Sequence, residues 1–179
     1  MKKKLPKKTD TMKSAMNIAL DILSRRSVTQ YEMEKRLQDK KIAPKESAEI
    51  ILKLIEWGYI NDFRLAMDYC QRRSGRHSRL KIRQDLWLRG LDKILVDEVL
   101  DNSYTLEQEL QLCMKLAQQI LDRESQRFAK QTACNKAYNK IPQDIFLQHK
   151  VGAKLARLGY PYEMINEVLS NSINEKLVT

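Results

Sequence analysis

Glycine and proline are scarce, with 5 and 4 among 179 residues, where average usage gives about 21 of the two together. A chain so poor in turn-formers does not supply the many tight corners of a β-sandwich or barrel. Histidine is limited to His77 and His149. Neither has a Cys, His or carboxylate at ligand spacing, so no metal site is expected. The three cysteines, Cys70, Cys113 and Cys134, are an odd number at wide spacings without a C-x-x-C. That pattern suits a reducing cytosol and neither a disulfide framework nor a zinc site. No apolar run approaches the 18 residues or so of a membrane span. The basic opening Met1-Lys2-Lys3-Lys4-Leu5 has no signal-like apolar stretch after it, because Asp10, Lys13, Asn17 and Asp21 interrupt the one candidate. A cytoplasmic location is expected. Also missing are the G-x-x-x-x-G-K-[ST] and G-x-G-x-x-G phosphate loops and the G-x-S-x-G nucleophile elbow. Carboxylate pairs such as Glu32/Glu34 and Asp97/Glu98 sit among Lys and Arg, as solvated helix faces do. A protein that is not an enzyme and carries no cofactor is the expectation.

What is present is charge and helical periodicity. Lys+Arg number 33 against 23 Asp+Glu, a formal net charge of +10, which points to an anionic partner. Residues 1–11 are basic and without period and are expected to form a flexible tail. From Met12 onward, helix signals follow one another closely. Thr29-Gln30-Tyr31-Glu32 and Thr105-Leu106-Glu107-Gln108 have the capping-box form. Pro44 stands at a first helical position, with Ala48, Ile51, Leu52 and Ile55 expected on one apolar face. Asn61, Ser78 and Asp92 are candidate N-caps, Gly58, Gly90 and Gly159 candidate helix ends, and Pro142 and Pro161 candidate starts.

The helices echo one another. Met33, Leu37 and Ile42 have the spacing of Ile82, Leu86 and Leu91, and again of Val151, Leu155 and Tyr160. Beyond Leu91 and Tyr160 the apolar positions continue in step, Val96, Val99 and Leu100 matching Ile165, Val168 and Leu169. The first segment fits with one inserted residue, which places Ile51 and Leu52 in the matching positions. The expected architecture is all-α: three tandem three-helix repeats forming an elongated, curved helical array. Their expected bounds are 12–60, 61–104 and 105–179, the last with an insertion near 131–141.

The sharpest charge feature runs from Arg72 to Arg89, with seven basic residues against Asp85 alone, a net +6 in 18 positions. Six of the seven are arginine, whose planar fork suits phosphate and carboxylate. Like charges this dense repel unless something anionic meets them, so a binding surface is favoured over a merely solvated basic face. The aromatics Trp57, Tyr59, Tyr69, Trp87 and Tyr160 could stack on bases, but each falls where a helical core needs a large side chain, and core is the expected role.

Several stretches resemble the RecX family of recombinase regulators: Ala19-Leu20-Asp21-Ile22-Leu23-Ser24-Arg25-Arg26-Ser27, Glu34-Lys35-Arg36-Leu37, Leu54-Ile55-Glu56-Trp57-Gly58-Tyr59-Ile60-Asn61-Asp62-Phe63-Arg64-Leu65-Ala66, and Gly75 through Ile82 and Leu86 to Arg89-Gly90-Leu91. The resemblance spans about Ala15 to Leu169. Asn61 stands where that family more often has an acid, and as an N-cap it serves equally well. The resemblance implies a non-enzymatic protein that binds the RecA-type recombinase filament and inhibits its ATPase, strand-exchange and co-protease activities. Recombination, DNA repair and the SOS response would be modulated in turn. By position, the implied contacts to recombinase or DNA are Arg72, Arg73, Arg76, Arg79, Lys81, Arg83 and Arg89, with Arg25 and Arg26 secondary. Single- and double-stranded DNA are the accompanying expected partners, no membrane is involved, and the protein itself is expected to be a monomer. The competing reading is a helical DNA-binding protein, either a single-strand binder or a winged-helix regulator. The latter would need a β-hairpin after Ile60, where Phe63 to Cys70 is helix-patterned instead.

Overall fold

The computed structural model describes residues 8–134 and 142–177. They form nine helices and no strand: α1 (Lys8–Arg25), α2 (Gln30–Asp39), α3 (Pro44–Glu56), α4 (Asp62–Arg73), α5 (Arg79–Leu88), α6 (Lys93–Ser103), α7 (Leu106–Cys134), α8 (Gln143–Arg157) and α9 (Tyr162–Leu177). The helix starts follow the local chemistry. Thr29 accepts from the Glu32 N–H at 3.0 Å while the Glu32 carboxylate accepts from the Thr29 N–H at 3.3 Å. Thr105 and Gln108 make the same reciprocal pair ahead of α7. Asn61 caps α4 through the Arg64 N–H, and Asp92 caps α6 through the Ile94 and Leu95 N–H groups. These side chains satisfy backbone donors that a helix start leaves without partners. No hairpin follows Ile60, since α4 begins two residues later. Helix α1 starts at Lys8, inside the stretch expected to be tail. The stretch 131–134 continues α7, while most of the expected insertion lies outside the described residues.

The chain divides into two compact units. One holds the residues up to Tyr69 together with Asp85–Val99; the other holds Cys70–Gln84 together with the chain from Leu100. The first unit has a core of Ala15, Ala19, Val28, Met33, Leu37, Ile50, Ile51, Leu54 and Ile60. In the second, α7, α8 and α9 enclose Cys113, Ala117, Ile120, Leu121, Leu147, Val151, Leu155, Tyr160, Ile165 and Val168. Phe128 and Phe146 stack at 5.0 Å between ring centroids at the edge of that core. The buried Glu124 carboxylate pins α7 to α8 by accepting from Lys154 Nζ at 2.5 Å, with Arg127 at 3.3 Å. These two cations hold it below the ordinary carboxylate range against the opposing effect of burial.

Burial corrects the register of the first three-helix segment. Leu52 is 62% exposed and Ile55 39%, and Ala48 is exposed as well, whereas Ser47, Ile50 and Ile51 are buried. Counted from Ile42, the buried positions are +5, +8 and +9, the offsets of Val96, Val99 and Leu100 from Leu91 and of Ile165, Val168 and Leu169 from Tyr160. No inserted residue is needed. The run Ile50-Ile51-Leu52 admits two helical phases, and a serine occupies the slot that valine and isoleucine fill in the other segments. The apolar echo is therefore hidden at Ser47.

Candidate functional site

The Arg72–Arg89 segment starts in the last turn of α4 and runs through α5 to the turn before α6. Two joints of one design sort its cations. In the first unit, the Thr29 hydroxyl donates to the Arg89 carbonyl at 2.7 Å, and the Gln30 N–H donates to Asp62 at 3.0 Å. In the second unit, the Ser78 hydroxyl donates to the Gly159 carbonyl at 2.6 Å, and the Arg79 N–H donates to Glu109 at 2.7 Å. Each N-cap hydroxyl also accepts from the first turn of its helix. In both joints a capped helix start (α2, α5) thus docks on the glycine turn that ends a later helix (α5, α8). Gly90 and Gly159 take the left-handed φ of 78° and 87°. A Cβ on Gly90 would lie 2.2 Å from the Tyr31 ring, and one on Gly159 would lie 2.6 Å from Lys81 Cβ. Glycine is required there on both counts.

Two of the sequence-predicted contact residues are structural. Arg79 is only 8% exposed. Its guanidinium donates to the Leu100 carbonyl at 3.1 Å, to the Tyr104 carbonyl and to the Asp101 carboxylate, closing the C-terminal end of α6. Arg79, Ile82 and Leu86 stand at i, i+3 and i+7 on the inward stripe of α5. Arg89 forms a forked pair with Glu32, at 2.9 Å and 3.0 Å, and reaches the Ser27 carbonyl at 3.3 Å. It also lies 5.9 Å over the Tyr69 ring, whose hydroxyl donates to Asp85. Burial disfavours the charged Glu32 carboxylate, but the Arg89 fork and the Thr29 N–H outweigh it and hold the group below its ordinary range. Both guanidiniums are engaged by carboxylates and carbonyls of the fold itself.

Burial raises Glu109 above the ordinary carboxylate range, opposed by the Arg79 N–H and by the charges of Arg79 and Arg83. Arg83 therefore bears electrostatically on a buried carboxylate, and half-buried Lys81 packs on the Gly159 turn. Burial also pushes the Tyr104 hydroxyl and the Cys113 thiol each up to about 12, so both are protonated and inert at neutral pH.

Of the basic segment's cations in the second unit, Arg72, Arg73 and Arg76 are exposed, at the end of α4 and in the turn after it. Arg72 and Arg73 lie in the last helical turn, where cations oppose the helix dipole favourably. Arg73 comes within 3.3 Å of His77 Nε2. The Ser74-Gly75 turn between these arginines forms one wall of a groove of about 400 Å³, completed by Ser103, Tyr104, Gln108, Gln111, Leu112 and Lys115. Hydroxyls, amides and an ammonium share its lining with Leu112 and Tyr104, and the polar groups among them can meet carboxylate or phosphate oxygens. In the first unit, Arg25 is exposed and paired to Asp21 at 2.9 Å, while exposed Arg26 helps to hold Glu32 ionised.

The aromatics divide as well. Tyr160 is buried, Tyr69 is half-buried, and Trp87 is 37% exposed beneath Lys93 at 5.4 Å. Trp57 and Tyr59 are 56% and 58% exposed, which overturns their expected place in the core. The turn after α3 explains this: Gly58 takes φ 73°, and Tyr59 and Ile60 donate back to the Leu54 carbonyl. The turn buries Leu54 and Ile60 and leaves Trp57 and Tyr59 outside.

Comparison with known proteins places this arrangement. The family model for the first three-helix domain of RecX matches residues 15–54, the segment containing the first core. Regulatory protein RecX of Bacillus velezensis is 24% identical over 166 residues, covering 91% of this chain and 57% of the relative. Its counterpart in Vibrio vulnificus is 26% identical over 170 residues, covering 91% of this chain and 95% of the relative. The crystal structure of RecX from Lactobacillus salivarius superposes with a TM-score of 0.71 at 24% identity, over 91% of this chain and 97% of that one. The chain is thus similar to RecX proteins over about nine-tenths of its length, and its first three-helix segment matches the RecX model directly. It spans little more than half the length of the RecX proteins of Bacillus velezensis and Caldanaerobacter subterraneus, 57% and 54%, while matching nearly the whole of the Vibrio RecX. Among the described residues no helix is long and apolar enough to cross a membrane.

Proposed function

We propose that this chain is a non-enzymatic regulator in the cytoplasm that binds the RecA-type recombinase filament. It inhibits the filament's ATPase, strand-exchange and co-protease activities, and so modulates recombination, DNA repair and the SOS response. The observation that carries this reading is the exposed trio Arg72, Arg73 and Arg76 beside the groove of the second unit. With Arg79 and Arg89 engaged internally, these three are the exposed arginines of the basic segment, and their forks suit acidic side chains of a filament or the phosphates it encloses. The similarity to RecX proteins over about nine-tenths of the chain supports the assignment.

The test is the triple substitution R72E/R73E/R76E. Because the three side chains are exposed, the variant is expected to keep wild-type helicity and a melting temperature within a few degrees. Its half-inhibitory concentration against recombinase ATPase on single-stranded DNA should rise tenfold or more, about 1.4 kcal/mol or greater. A folded triple variant that inhibits as well as wild type removes this surface from the interface. The alternative, a helical DNA-binding protein, predicts that the same variant loses affinity for free DNA while the unmodified protein leaves the ATPase untouched.

A further inference from the structure

A second surface, in the first unit, has a different chemistry. Trp57 and Tyr59 meet edge to face, with ring centroids 6.4 Å apart and planes at 84°, and both remain more than half exposed. On the preceding helix, Leu52 and Ile55 stand three residues apart on the outward side at 62% and 39% exposure. Tyr59 also forms part of the rim of a cavity of about 210 Å³, whose walls include Ser27, Asn61, Arg64 and Asp68. None of these four apolar side chains contributes to the core of the unit. Large aromatic and aliphatic groups held outside a core by a well-formed turn mark a docking site.

The charge of the segment that carries these side chains narrows the occupant. From Glu49 to Asp68 there are four acids (Glu49, Glu56, Asp62, Asp68) against two bases (Lys53, Arg64), a net charge of −2 in a chain whose total is +10. A segment of net negative charge disfavours nucleic acid, and aliphatic Leu52 and Ile55 offer a base nothing to stack on. An apolar protein surface bordered by lysine or arginine complements it in both respects. Resting on the reading above, we infer that Leu52, Ile55, Trp57 and Tyr59 form a second recombinase-docking surface, which takes an apolar, basic-rimmed face of a recombinase protomer. The arginine trio and the aromatic patch are thus separate contacts of opposite character.

The experiment uses the full-length protein labelled with 5-fluorotryptophan, whose two resonances report Trp57 and Trp87 and are assigned with W87F. Adding recombinase filament should shift or broaden the Trp57 signal. In parallel, W57A and W57A/Y59A, checked for wild-type helicity, should raise the half-inhibitory concentration for ATPase tenfold or more, with affinity for free single-stranded DNA unchanged. Full inhibition by folded W57A/Y59A overturns the docking surface. So does an equal loss of free-DNA affinity, which would make the patch a base-stacking platform. A self-associated wild type that W57A converts to monomer would assign the patch to a second copy of the chain and overturn it as well. Wild-type protein without effect on the ATPase refutes the regulator reading itself, and the recombinase-docking assignment with it.

Discussion

Replacing Arg79 with alanine is expected to destabilise the second unit by about 2–6 kcal/mol, at about 1–3 kcal/mol for each of two buried carbonyls left without their donor. The guanidinium closes α6 by donating to the Leu100 and Tyr104 carbonyls and to Asp101, from a side chain only 10% exposed. Alanine would leave two carbonyls without this donor and remove the charge that favours ionised Glu109. Lysine keeps the charge but not the fork, so R79K should fall between alanine and wild type. Urea titration followed by circular dichroism measures this directly. An alanine variant as stable as wild type would mean that Arg79 does not hold α6 and is free to face a partner. For the same reason, charge reversal at Arg79 cannot test the interface: it would unfold the surface whose function is in question.

The second large effect is expected at the two joint glycines. G90A and G159A each force a Cβ into left-handed backbone, at about 1–2 kcal/mol, and against a docked neighbour, at about 1–3 kcal/mol for overpacking. A total of about 2–5 kcal/mol follows for each. Gly58 is the internal control. It shares the left-handed φ, at 73°, but a Cβ there meets nothing within 4 Å. G58A should therefore show the conformational penalty alone. Lys41, the counterpart of Gly90 in the first segment, is exposed and tolerates φ 60° with its side chain in place. Equal destabilisation by all three alanine variants, read from thermal melts, would contradict the joint description.

Much of this was legible in the sequence because it rests on local chemistry. The capping boxes at Thr29 and Thr105, the caps at Asn61, Ser78 and Asp92, and the glycine turns at 58, 90 and 159 all stand as their residue types predict. The matched trios Met33/Leu37/Ile42, Ile82/Leu86/Leu91 and Val151/Leu155/Tyr160 are buried or nearly so. Less legible were the features that depend on contacts distant in sequence. Charge density counts Arg79 and Arg89 like any other arginine, whereas their partners Asp101 and Glu32 lie 22 and 57 residues away. Trp57 and Tyr59 read as core because large aromatics usually fill one, yet the Gly58 turn leaves them outside. Ser47 hid the register of the first segment for a similar reason: a serine does not look like the counterpart of a valine until its burial is seen.

The proposed target is a recombinase filament rather than DNA alone. The most direct test titrates the wild-type protein into a recombinase reaction on single-stranded DNA at near-physiological salt, following ATP hydrolysis, beside an anisotropy titration on the same DNA without recombinase. Loss of ATPase activity at concentrations well below those that coat free DNA is the predicted result. Undisturbed hydrolysis alongside tight, salt-sensitive DNA binding would contradict it and assign the arginines of the second unit to nucleic acid.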